Sequence, residues 1–362
     1  MDRSLRVAVV GATGVAGQQA LVSLDGHPWF EVVALAASSR SAGKAYIEAI
    51  TAPTGQVKWA CVEPLPEWAR KMPVREASQM STEGIDLVFN CTDSDSGKVL
   101  EPRYAETTPV VSTTSAFRYE PDVPIFIPGV NMAHAALLRV QQKRRGWKGF
   151  VTPIPNCTTT GLAMSLAPLH HAFGVTGVVM TSLQAISGAG RSPGVIGMDI
   201  LDNVIPYIPK EEEKVERETQ KILGTLSDGE VVPADFPVSA TCMRVNVFDG
   251  HTEAAYVGLR RKASIEEVAA AMDGFGADFI ALDLPSGPKK RLITVLADPY
   301  HPQPRLDRDR EGGMTTVVGR LREDRLLPNG IKYVLLSHNT KLGASKGAVL
   351  VAEYLRTQGF LG

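Results

Sequence analysis

The sequence predicts an α/β protein in which a doubly wound parallel sheet is followed by an α+β domain and a C-terminal helix that returns to the first domain. Short buried strands alternate with helical stretches early in the chain, and longer strands take over after Pro153-Ile154-Pro155. The length of 362 residues also exceeds the ~100–200 residues of a usual domain. We therefore expect domains at residues 1–155 and 156–338, and a C-terminal segment at 339–362 that packs on the first domain.

The N-terminal segment has the order strand, glycine turn and helix. Leu5–Val10 is an uninterrupted apolar run, Gly11–Gly17 is rich in glycine, and an amphipathic stretch continues to about Leu24. The alternation is repeated by further apolar runs at Glu31–Ala37, Asp86–Cys91, Pro109–Ser112 and Ile125–Ile127. Such runs, separated by helical stretches, are typical of a parallel sheet covered by helices. The first domain is therefore predicted to be Rossmann-like.

The rest of the chain mixes longer strands with helices. The predicted strands are Gly177–Ser187, Val238–Val247, Thr252–Leu259 and Lys332–Ser337, and the predicted helices are Thr158–Phe173, Glu211–Leu223, Ser264–Met272 and Gly343–Thr357. Pro299–Arg310 is polar and contains prolines, so we expect an exposed excursion there. This pattern favours a mixed or antiparallel second sheet.

Composition excludes several classes of function. A formal net charge of -1 gives no support to nucleic-acid binding. The longest apolar stretches fall far short of the ~20 residues of a membrane helix, and the first residues lack the pattern of a secretory signal. The four cysteines form no CxxC pair and are too few for a disulfide scaffold. We expect a cytoplasmic protein without a membrane partner or a metal.

The turn at Gly11, Gly14 and Gly17 predicts a dinucleotide site. Small residues let the backbone approach a pyrophosphate, and the N-terminus of the following helix supplies N–H groups and partial positive charge. Thr13, Val15 and Ala16 complete the predicted contact segment. A plain connection between strand and helix would need glycine as well, so the turn alone leaves that alternative open.

The residues after the second strand favour NADP over NAD. An NAD site has a carboxylate there to bind the ribose hydroxyls, whereas Val32–Ala37 is followed by Ser38, Ser39, Arg40, Ser41 and then Lys44. Hydroxyl groups and two cations can bind a 2′-phosphate, and arginine can do so with two parallel hydrogen bonds. The alternative is that Arg40 and Lys44 are solvated loop charges.

Cys157 and His251 are the candidate catalytic pair. Cys157 lies at a junction marked by prolines, directly before a predicted helix whose positive end favours a thiolate. His251 follows Asp249-Gly250, a turn signal that puts an imidazole at the end of a strand, from which it can act as base and acid. A buried structural cysteine and a solvated turn histidine are the alternatives for each residue taken alone.

Seven segments together resemble the aspartate-semialdehyde dehydrogenase family, in particular its archaeal and fungal branch, over nearly the whole chain. They are Gly11–Gly17, Ser38–Tyr46, Pro155–Thr158, Gln184–Gly190, Glu211–Lys214, Arg244–Thr252 and Asn339–Gly347. The resemblance implies NADP-dependent reduction of L-aspartyl-4-phosphate to L-aspartate 4-semialdehyde with release of inorganic phosphate, in the aspartate pathway to lysine, threonine and methionine. It also implies a catalytic and dimerisation role for the second domain, and a homodimer or homotetramer.

The resemblance assigns a role to each site residue. Cys157 is the nucleophile that forms a thioester, His251 the acid and base, and Gln184 an orienting residue. The substrate-binding residues it implies are Arg244 for the carboxylate, Glu211 for the ammonium group, Arg118 and Lys214 for the phosphate, and Asn156. Cofactor contacts are implied for Ser187, Gly188 and Asn339 in addition to the glycine turn and the Ser38–Lys44 loop. Each charge has an opposite charge on aspartyl phosphate, which is an independent chemical check.

Three alternatives and a few departures qualify this expectation. A malonyl-CoA reductase of the same fold is the nearest enzyme alternative, N-acetylglutamyl-phosphate reductase has a different sequence around its cysteine, and an NADP-sensing protein would have no use for a nucleophile. The family usually has proline where Asn246 stands, and arginine with small residues where Leu342 and Ser345-Lys346 stand. These departures concern nicotinamide contacts and leave the cysteine and the histidine in place.

Overall fold

The computed structural model describes residues 3–189 and 196–362, so Gly190, the last residue of the Gln184–Gly190 segment, lies outside the described residues. The chain forms two compact units. One contains the chain up to Phe126 together with His134–Ile154 and Ala344–Gly362, and the other contains Ile127–Ala133 and Pro155–Gly343. The first unit has a parallel sheet and the second a mixed sheet, so the predicted α/β fold class is confirmed.

The helices and strands follow in chain order. The elements up to residue 153 are β1 (Leu5–Val10), α1 (Val15–Ser23), β2 (Phe30–Ala37), α2 (Tyr46–Ala49), α3 (Glu67–Arg70), β3 (Val74–Glu76), β4 (Leu87–Asn90), α4 (Ser94–Ala105), β5 (Val110–Ser112), α5 (Leu137–Arg145) and β6 (Val151–Pro153). Those that follow are α6 (Cys157–Phe173), β7 (Val175–Gln184), α7 (Ile196–Ile200), α8 (Glu211–Ile222), β8 (Thr225–Ser227), β9 (Glu230–Val232), β10 (Val238–Arg244), β11 (His251–Leu259), α9 (Ile265–Asp273), α10 (Ala277–Ile280), β12 (Ile293–Val295), α11 (Pro304–Asp307), β13 (Thr316–Glu323), β14 (Ile331–Ser337) and α12 (Ser345–Thr357).

The sheet of the first unit has the strand order β3-β2-β1-β4-β5-β6, and all its pairs are parallel. Val10, Val88, Val110 and Val151 contribute buried side chains from four of these strands to one core. Each fully buried side chain of this size is worth ~1.5–3 kcal/mol. The order reverses direction at β1 and β4, and in doubly wound sheets ligands bind outside the strand ends at such a point.

Helix α12 belongs to the first unit, where it packs beside α1. Ser345 Oγ donates to the carbonyl of Ala16 at 2.6 Å, and the buried His27 Nε2 lies 2.7 Å from Glu353 Oε1. The last helix is therefore tied to the first turn of α1 and to the loop between α1 and β2.

The second unit is built on a sheet with the order β10-β7-β11-β14-β13-β12. Its pairs are antiparallel, except that β10 with β7 and β12 with β13 are parallel. Helix α6 covers the inner face, and its residues Thr158–Leu169 are buried throughout. At the edge strand β10, the backbone amides of Cys242 and Ala240 donate to Glu212 and Glu216 of α8. Covering these amides removes the exposed edge that would invite unwanted pairing.

Several predicted elements need correction. Ile125–Ile127 is not a strand: it is buried, but Phe126 donates to Pro153 and Ile127 donates to the side chain of Asn131. The apolar composition of this segment reflects its burial, and the segment does not pair as a strand. Strands β3, β6, β8, β9, β12 and β13 were not predicted, and β7 and β10 end before the predicted Ser187 and Val247.

Pro299–Arg310 is only partly the exposed excursion that its polar composition suggests. Tyr300 is exposed, but the segment contains α11 and the buried Asp307. The carboxylate of Asp307 accepts from the amide of Gln303 and from Arg310, which explains how a polar residue is accommodated there. Among the described residues, no helix is long and apolar enough to cross a membrane.

Candidate active site

Cys157 is the first residue of α6 and lies at the N-terminus of that helix. Asn156 caps the helix, and its Oδ1 accepts from the amides of Thr158 at 2.9 Å and Thr159 at 3.2 Å. A Cβ at Gly343 would stand 3.0 Å from Cys157 Cβ, so glycine is what lets the chain approach the cysteine. The predicted position of Cys157 at a helix start is confirmed.

His251 is the first residue of β11 and faces the cysteine. The preceding Gly250 has φ +97, a conformation that favours glycine, and it produces the turn predicted from Asp249-Gly250. The imidazole is fully buried, and its Nε2 lies 3.2 Å from Cys157 Sγ. A solvated turn histidine is therefore excluded, and the two candidate residues are in hydrogen-bond contact.

The other ring nitrogen of His251 is bound to the backbone. The amide of Ala185, directly after β7, donates to His251 Nδ1 at 3.1 Å. Burial, assisted by the charges of Arg244 and His338, lowers the pKa of His251 to about 3. The ring is therefore neutral near pH 7.

Arg244 ends β10 next to this pair. Its Nη1 donates to the carbonyl of Ala185 at 2.8 Å, and the side chain is buried. A Cβ at Gly188 would lie 3.0 Å from Arg244 Nη1 and 3.2 Å from His251 Cε1, so a side chain there would crowd both groups. Gln184 lies opposite Arg244 in the β7–β10 register, is buried, and donates to Ser182 Oγ at 3.2 Å. The strand register thus gathers Gln184, Arg244 and His251.

Glu211 and Lys214 lie on the first turn of α8, where Lys214 Nζ is 3.6 Å from Glu211 Oε2. Asn156 Nδ2 donates to Glu211 Oε1 at 2.9 Å, so Glu211 reaches the residue before the cysteine. The Asn156 side chain therefore both caps α6 and binds Glu211, which holds this junction together. Glu218, seven residues after Glu211 on the same buried face of α8, accepts from the Asn156 amide at 2.6 Å. The periodicity of α8 could have identified Glu218, which the sequence analysis missed.

Asn339 and Ser187 form a bridge near His251. Asn339 Oδ1 accepts from the amide of Gly250 at 2.8 Å, and Asn339 Nδ2 donates to Ser187 Oγ at 2.8 Å. This bridge joins the turn before His251 to the segment after β7. Asn339 and Ser187 were predicted as cofactor contacts. In the structure their side chains are hydrogen-bonded to each other.

Glu253 is another buried acid of this unit that the sequence analysis missed. It lies two residues after His251 on β11, so both side chains are on the same face of the sheet. Neither carboxylate oxygen has a hydrogen-bond partner within the described residues. Burial, assisted by the charge of Glu211, raises the pKa of Glu253 well above its usual range. Strict alternation from His251 could have identified its position, though not its lack of partners.

The glycine turn in the first unit has the geometry of a close backbone approach. Gly11 has φ +79, and a Cβ there would lie 2.6 Å from the carbonyl oxygen of Cys91. A Cβ at Gly17 would lie 2.3 Å from the carbonyl oxygen of Gly11. Helix α1 begins at Val15, and no side chain caps it. Thr13, Gly14, Val15 and Ala16 thus surround a helix N-terminus that can bind an anion.

The loop after β2 is as polar as expected. Ser38, Ser39, Arg40 and Lys44 are exposed, Ser41 is half-buried, and Lys44 Nζ donates to the carbonyl of Arg40 at 2.9 Å. A cavity of about 310 Å³ is lined by Ser38 and Ser39 together with Glu76, Ser78, Ser96 and apolar residues. Glu76 was missed because the short β3 that ends with it was not predicted.

Arg118 also lies in the first unit. It is buried, and its Nη2 donates to the carbonyl of Thr113 at 3.1 Å. Lys214, the other residue expected to bind the phosphate, belongs to the second unit. The catalytic pair, Gln184, Arg244, Glu211 and Lys214 are thus gathered in one unit, and the glycine turn, the Ser38–Lys44 loop and Arg118 in the other.

Comparison with known proteins agrees with the motifs. Residues 6–138 match the model of the semialdehyde dehydrogenase NAD binding domain, and residues 166–342 match that of the semialdehyde dehydrogenase dimerisation domain. The chain is 45% identical to an aspartate-semialdehyde dehydrogenase of Methanothermobacter thermautotrophicus, covering 97% of this chain and 99% of that protein. It is 42% identical to the enzyme of that name from Saccharomyces cerevisiae, covering 98% of each chain. A crystal structure of aspartate semialdehyde dehydrogenase with NADP from Candida albicans superposes with a TM-score of 0.87 at 40% identity, covering 99% of this chain and all of that one.

Proposed function

This chain belongs to the aspartate-semialdehyde dehydrogenase family, and from that premise we propose that it reduces L-aspartyl-4-phosphate to L-aspartate 4-semialdehyde with NADPH. The observation that carries this proposal is the 3.2 Å contact between Cys157 Sγ and His251 Nε2 at the start of a buried helix. A nucleophile and a hydrogen-bonding imidazole at this distance are what acyl transfer to sulfur requires.

The first step is the formation of a thioester. The Cys157 thiolate attacks the acyl carbon, a tetrahedral oxyanion forms and collapses, and the C–O bond to phosphate breaks. Phosphate leaves with the electron pair of that bond and takes up one proton from water. The positive end of α6 and the nearby Arg244 guanidinium favour the thiolate before attack.

Hydride transfer follows at the same carbon. NADPH, held by the glycine turn and the Ser38–Lys44 loop, would supply a hydride to the thioester carbonyl. The C–S bond of the tetrahedral adduct then breaks to give the aldehyde and to return the thiolate to Cys157. Gln184, buried at the end of β7, is placed to orient the acyl group. His251 keeps hydrogen-bond contact with sulfur as charge returns to it.

The first unit is proposed to bind NADP. The tight turn at Gly11 and Gly17 admits a pyrophosphate at the start of α1, and Arg40 and Lys44 supply cations for the 2′-phosphate. The cavity beside Ser38, Ser39 and Glu76 suits the adenosine end, where a carboxylate can accept hydrogen bonds from hydroxyl or amino groups. A dinucleotide-bound relative of the same fold supports this assignment.

Substrate choice is proposed to rest on Arg244 and Glu211. Arg244 binds the substrate carboxylate, Glu211 the ammonium group, and Lys214, with Arg118, the phosphate. Glu211 is held at the cysteine through Asn156, so its charge lies at the catalytic junction. Replacement by Gln removes that charge while keeping the shape of the side chain, and it should reduce the preference for the amino-bearing aldehyde.

The proposed setting is the cytoplasm, and the proposed partner is a second copy of this chain. The four free cysteines fit a reducing compartment. Val179 and Leu183 are exposed on the outer face of β7, and an exposed apolar sheet face is typical of a subunit interface. The match to a dimerisation domain over 166–342 supports a homodimer or a larger homo-oligomer.

The test is a phosphate-dependent assay of NADP reduction with aspartate semialdehyde, run beside malonyl-CoA with NADPH. We expect activity only in the first assay, with loss of reduction when phosphate is omitted. Wild type and Glu211→Gln are then compared on aspartate semialdehyde and on the aldehyde that lacks the amino group. The wild-type preference should shrink ~10-fold in the variant, which corresponds to about 1.4 kcal/mol. Equal use of both aldehydes by wild type, or turnover of malonyl-CoA, would overturn the aspartate assignment.

A further inference from the structure

We propose that Glu101 is a positioning residue of the phosphate site: its carboxyl group ties the ends of strands β4 and β5 together and fixes the loop, residues 113–118, that presents Arg118. Glu101 lies on α4 and is fully buried, so it acts through this loop and not by contact with the phosphate. The proposal rests on the proposed function, because it concerns how Arg118 is held for the phosphate that the reaction releases.

Three buried side chains donate hydrogen bonds to one atom, Glu101 Oε1. They are Asn90 at 2.7 Å, Ser112 at 2.5 Å and Thr114 at 2.8 Å. Asn90 ends β4, Ser112 ends β5, and the two residues are partners in the parallel register. The carboxyl ends of the strands in a doubly wound sheet are where ligands bind. Glu101 therefore joins two strand ends at the ligand-binding edge of the sheet in the first unit.

The network continues from Glu101 into the loop and to Arg118. Thr114 Oγ1 donates to Glu101 and also accepts from the amide of Ala116 at 3.2 Å. The carbonyl of Thr113, the preceding residue, accepts from Arg118 Nη2 at 3.1 Å. Thr113 and Ala116 thus flank the hydroxyl group that Glu101 holds. A shift of Thr114 would therefore move the carbonyl to which the Arg118 guanidinium is bound.

A carboxyl group suits this position because it can accept several hydrogen bonds at once. An apolar side chain would leave the three donors buried and unpaired, which is destabilising for each of them. Gly97, one turn earlier on α4, closes the space: a Cβ there would lie 2.9 Å from Thr114 Oγ1 and 3.2 Å from Glu101 Oε1. The packing therefore favours a side chain of the same shape as glutamic acid at this position.

The charge of Arg118 also acts on Glu101. Burial raises the pKa of Glu101, whereas the three hydrogen bonds and the positive charge of Arg118 lower it. The second carboxyl oxygen, Oε2, has no hydrogen-bond partner within the part of the chain that the structure describes. Glu101→Gln keeps Oε1 as an acceptor and changes only the second oxygen, so it removes no hydrogen bond that the structure shows. It is therefore the conservative variant for a test.

The test compares Glu101→Ala with Glu101→Gln in the full-length protein. The dissociation constant of inorganic phosphate is measured by ³¹P NMR line broadening in the presence of NADP. Glu101→Ala should weaken phosphate binding ~10-fold, as for the loss of a hydrogen bond to a charged group, while the affinity for NADP stays close to wild type. Glu101→Gln should restore phosphate binding, because its Oε1 accepts the same three hydrogen bonds. Equal phosphate affinity in wild type and a folded Glu101→Ala protein would overturn the proposal.

Two further variants separate positioning from general damage to the first unit. Gln141 is equally buried in that unit and is hydrogen-bonded to Val151 and Asp122, so Gln141→Ala is the matched control and should leave phosphate binding unchanged. In a protein that already carries Arg118→Ala, Glu101→Ala should cause no further loss, because its effect passes through Arg118. A further loss in that background, or an equal loss in Gln141→Ala, contradicts the positioning role.

Thr114→Val provides the test if Glu101→Ala does not fold. It removes the hydroxyl group that links Glu101 to the loop, and phosphate binding should weaken ~3-fold; unchanged binding would overturn the proposal. Phosphate binding is measured without an aldehyde, so two failures are distinguishable. Absence of phosphate-dependent NADP reduction with aspartate semialdehyde would overturn the substrate assignment, whereas unchanged phosphate affinity in the variants would overturn the role of Glu101 alone.

Discussion

The two units assemble their sites in opposite ways. In the first unit the candidate cofactor residues lie in two continuous segments, Gly11–Gly17 and Ser38–Lys44, each at the end of a parallel strand. In the second unit Cys157, Ala185, Arg244 and His251 are far apart in the sequence, and helix α6 and strands β7, β10 and β11 bring them together. In a site made of local segments, a substitution in one segment leaves the other segment intact. In a site assembled by strand register, one residue such as Ala185 holds several site residues, so a single substitution affects more than one of them.

The largest expected effect is the loss of turnover when the nucleophile of the second unit is replaced, with no loss of cofactor binding by the first unit. Cys157→Ser should reduce turnover by ~10³-fold or more, because an alcohol does not ionise near neutral pH and cannot replace the thiolate nucleophile. Binding of NADP, measured by titration calorimetry, should be unchanged, because the residues proposed to bind its phosphates lie in the first unit. Cys61→Ser, a cysteine replacement in the first unit, is the matched control and should stay active. A Cys157→Ser protein with near wild-type turnover would rule out the thioester route.

The next effect concerns Arg244, which is hydrogen-bonded to the same residue, Ala185, that binds His251. Arg244→Lys keeps the charge but loses the planar pair of donors, one of which holds the Ala185 carbonyl. We expect kcat/KM for aspartate semialdehyde to fall ~10–100-fold, as for the loss of a hydrogen bond to a charged group worth ~1.5–3 kcal/mol. Cofactor affinity should change less than twofold. A loss confined to cofactor affinity would show that Arg244 had been assigned to the wrong ligand.

A smaller effect is expected in the first unit. Arg40→Ala should narrow the preference for NADP over NAD by ~10-fold, because one exposed cation opposite the 2′-phosphate is lost and Lys44 remains. The measurement is the ratio of kcat/KM for the two cofactors. Arg70→Ala, another arginine of the same unit, should leave the ratio unchanged. Equal use of NAD and NADP by the wild type would contradict the interpretation of the Ser38–Lys44 loop.

Sequence reasoning succeeded where a feature is local. Leu5–Val10 was predicted with its observed bounds, and the Asp249-Gly250 turn placed His251 at a strand end, because both depend on a few consecutive residues. Family resemblance, and not periodicity, supplied the roles of Gln184, Arg244 and Glu211. The geometry around those three residues was not predictable from composition or spacing.

The failures are long-range. Ile125–Ile127 has the composition of a buried strand, but whether it pairs is decided by neighbours distant in sequence. The Ala185 amide is invisible to residue-type reasoning because every residue except proline carries one. Glu253 was missed for a related reason: its burial beside His251 is set by sheet register and by Gly161 of α6, where a Cβ would lie 3.3 Å from Glu253 Oε1.

Glu253 gives the last prediction, which concerns the stability of the second unit and its dependence on pH. Burial raises the pKa of Glu253, so the folded protein keeps this proton at pH values where the unfolded chain has lost it. The stability that comes from the protonated Glu253 is therefore fully present below ~pH 4.3, the ordinary pKa of glutamic acid. It is lost as the pH rises towards the pKa of Glu253 in the folded protein. Gln cannot ionise, so Glu253→Gln should match wild type near pH 4 and become more stable than wild type at higher pH. The gain should grow by at most ~1.4 kcal/mol per pH unit.

Urea unfolding of wild type and Glu253→Gln between pH 4 and pH 7 measures this gain. Glu213→Gln, at an exposed position on α8, is the control, and its difference from wild type should not grow with pH in the same way. A Glu253→Gln variant that is less stable than wild type at neutral pH would mean that the carboxylate is ionised and paired in the folded state. In that case a negative charge would lie behind His251, and the imidazole would have a reason to become positive. The neutral state of the His251 imidazole thus depends on the outcome at Glu253.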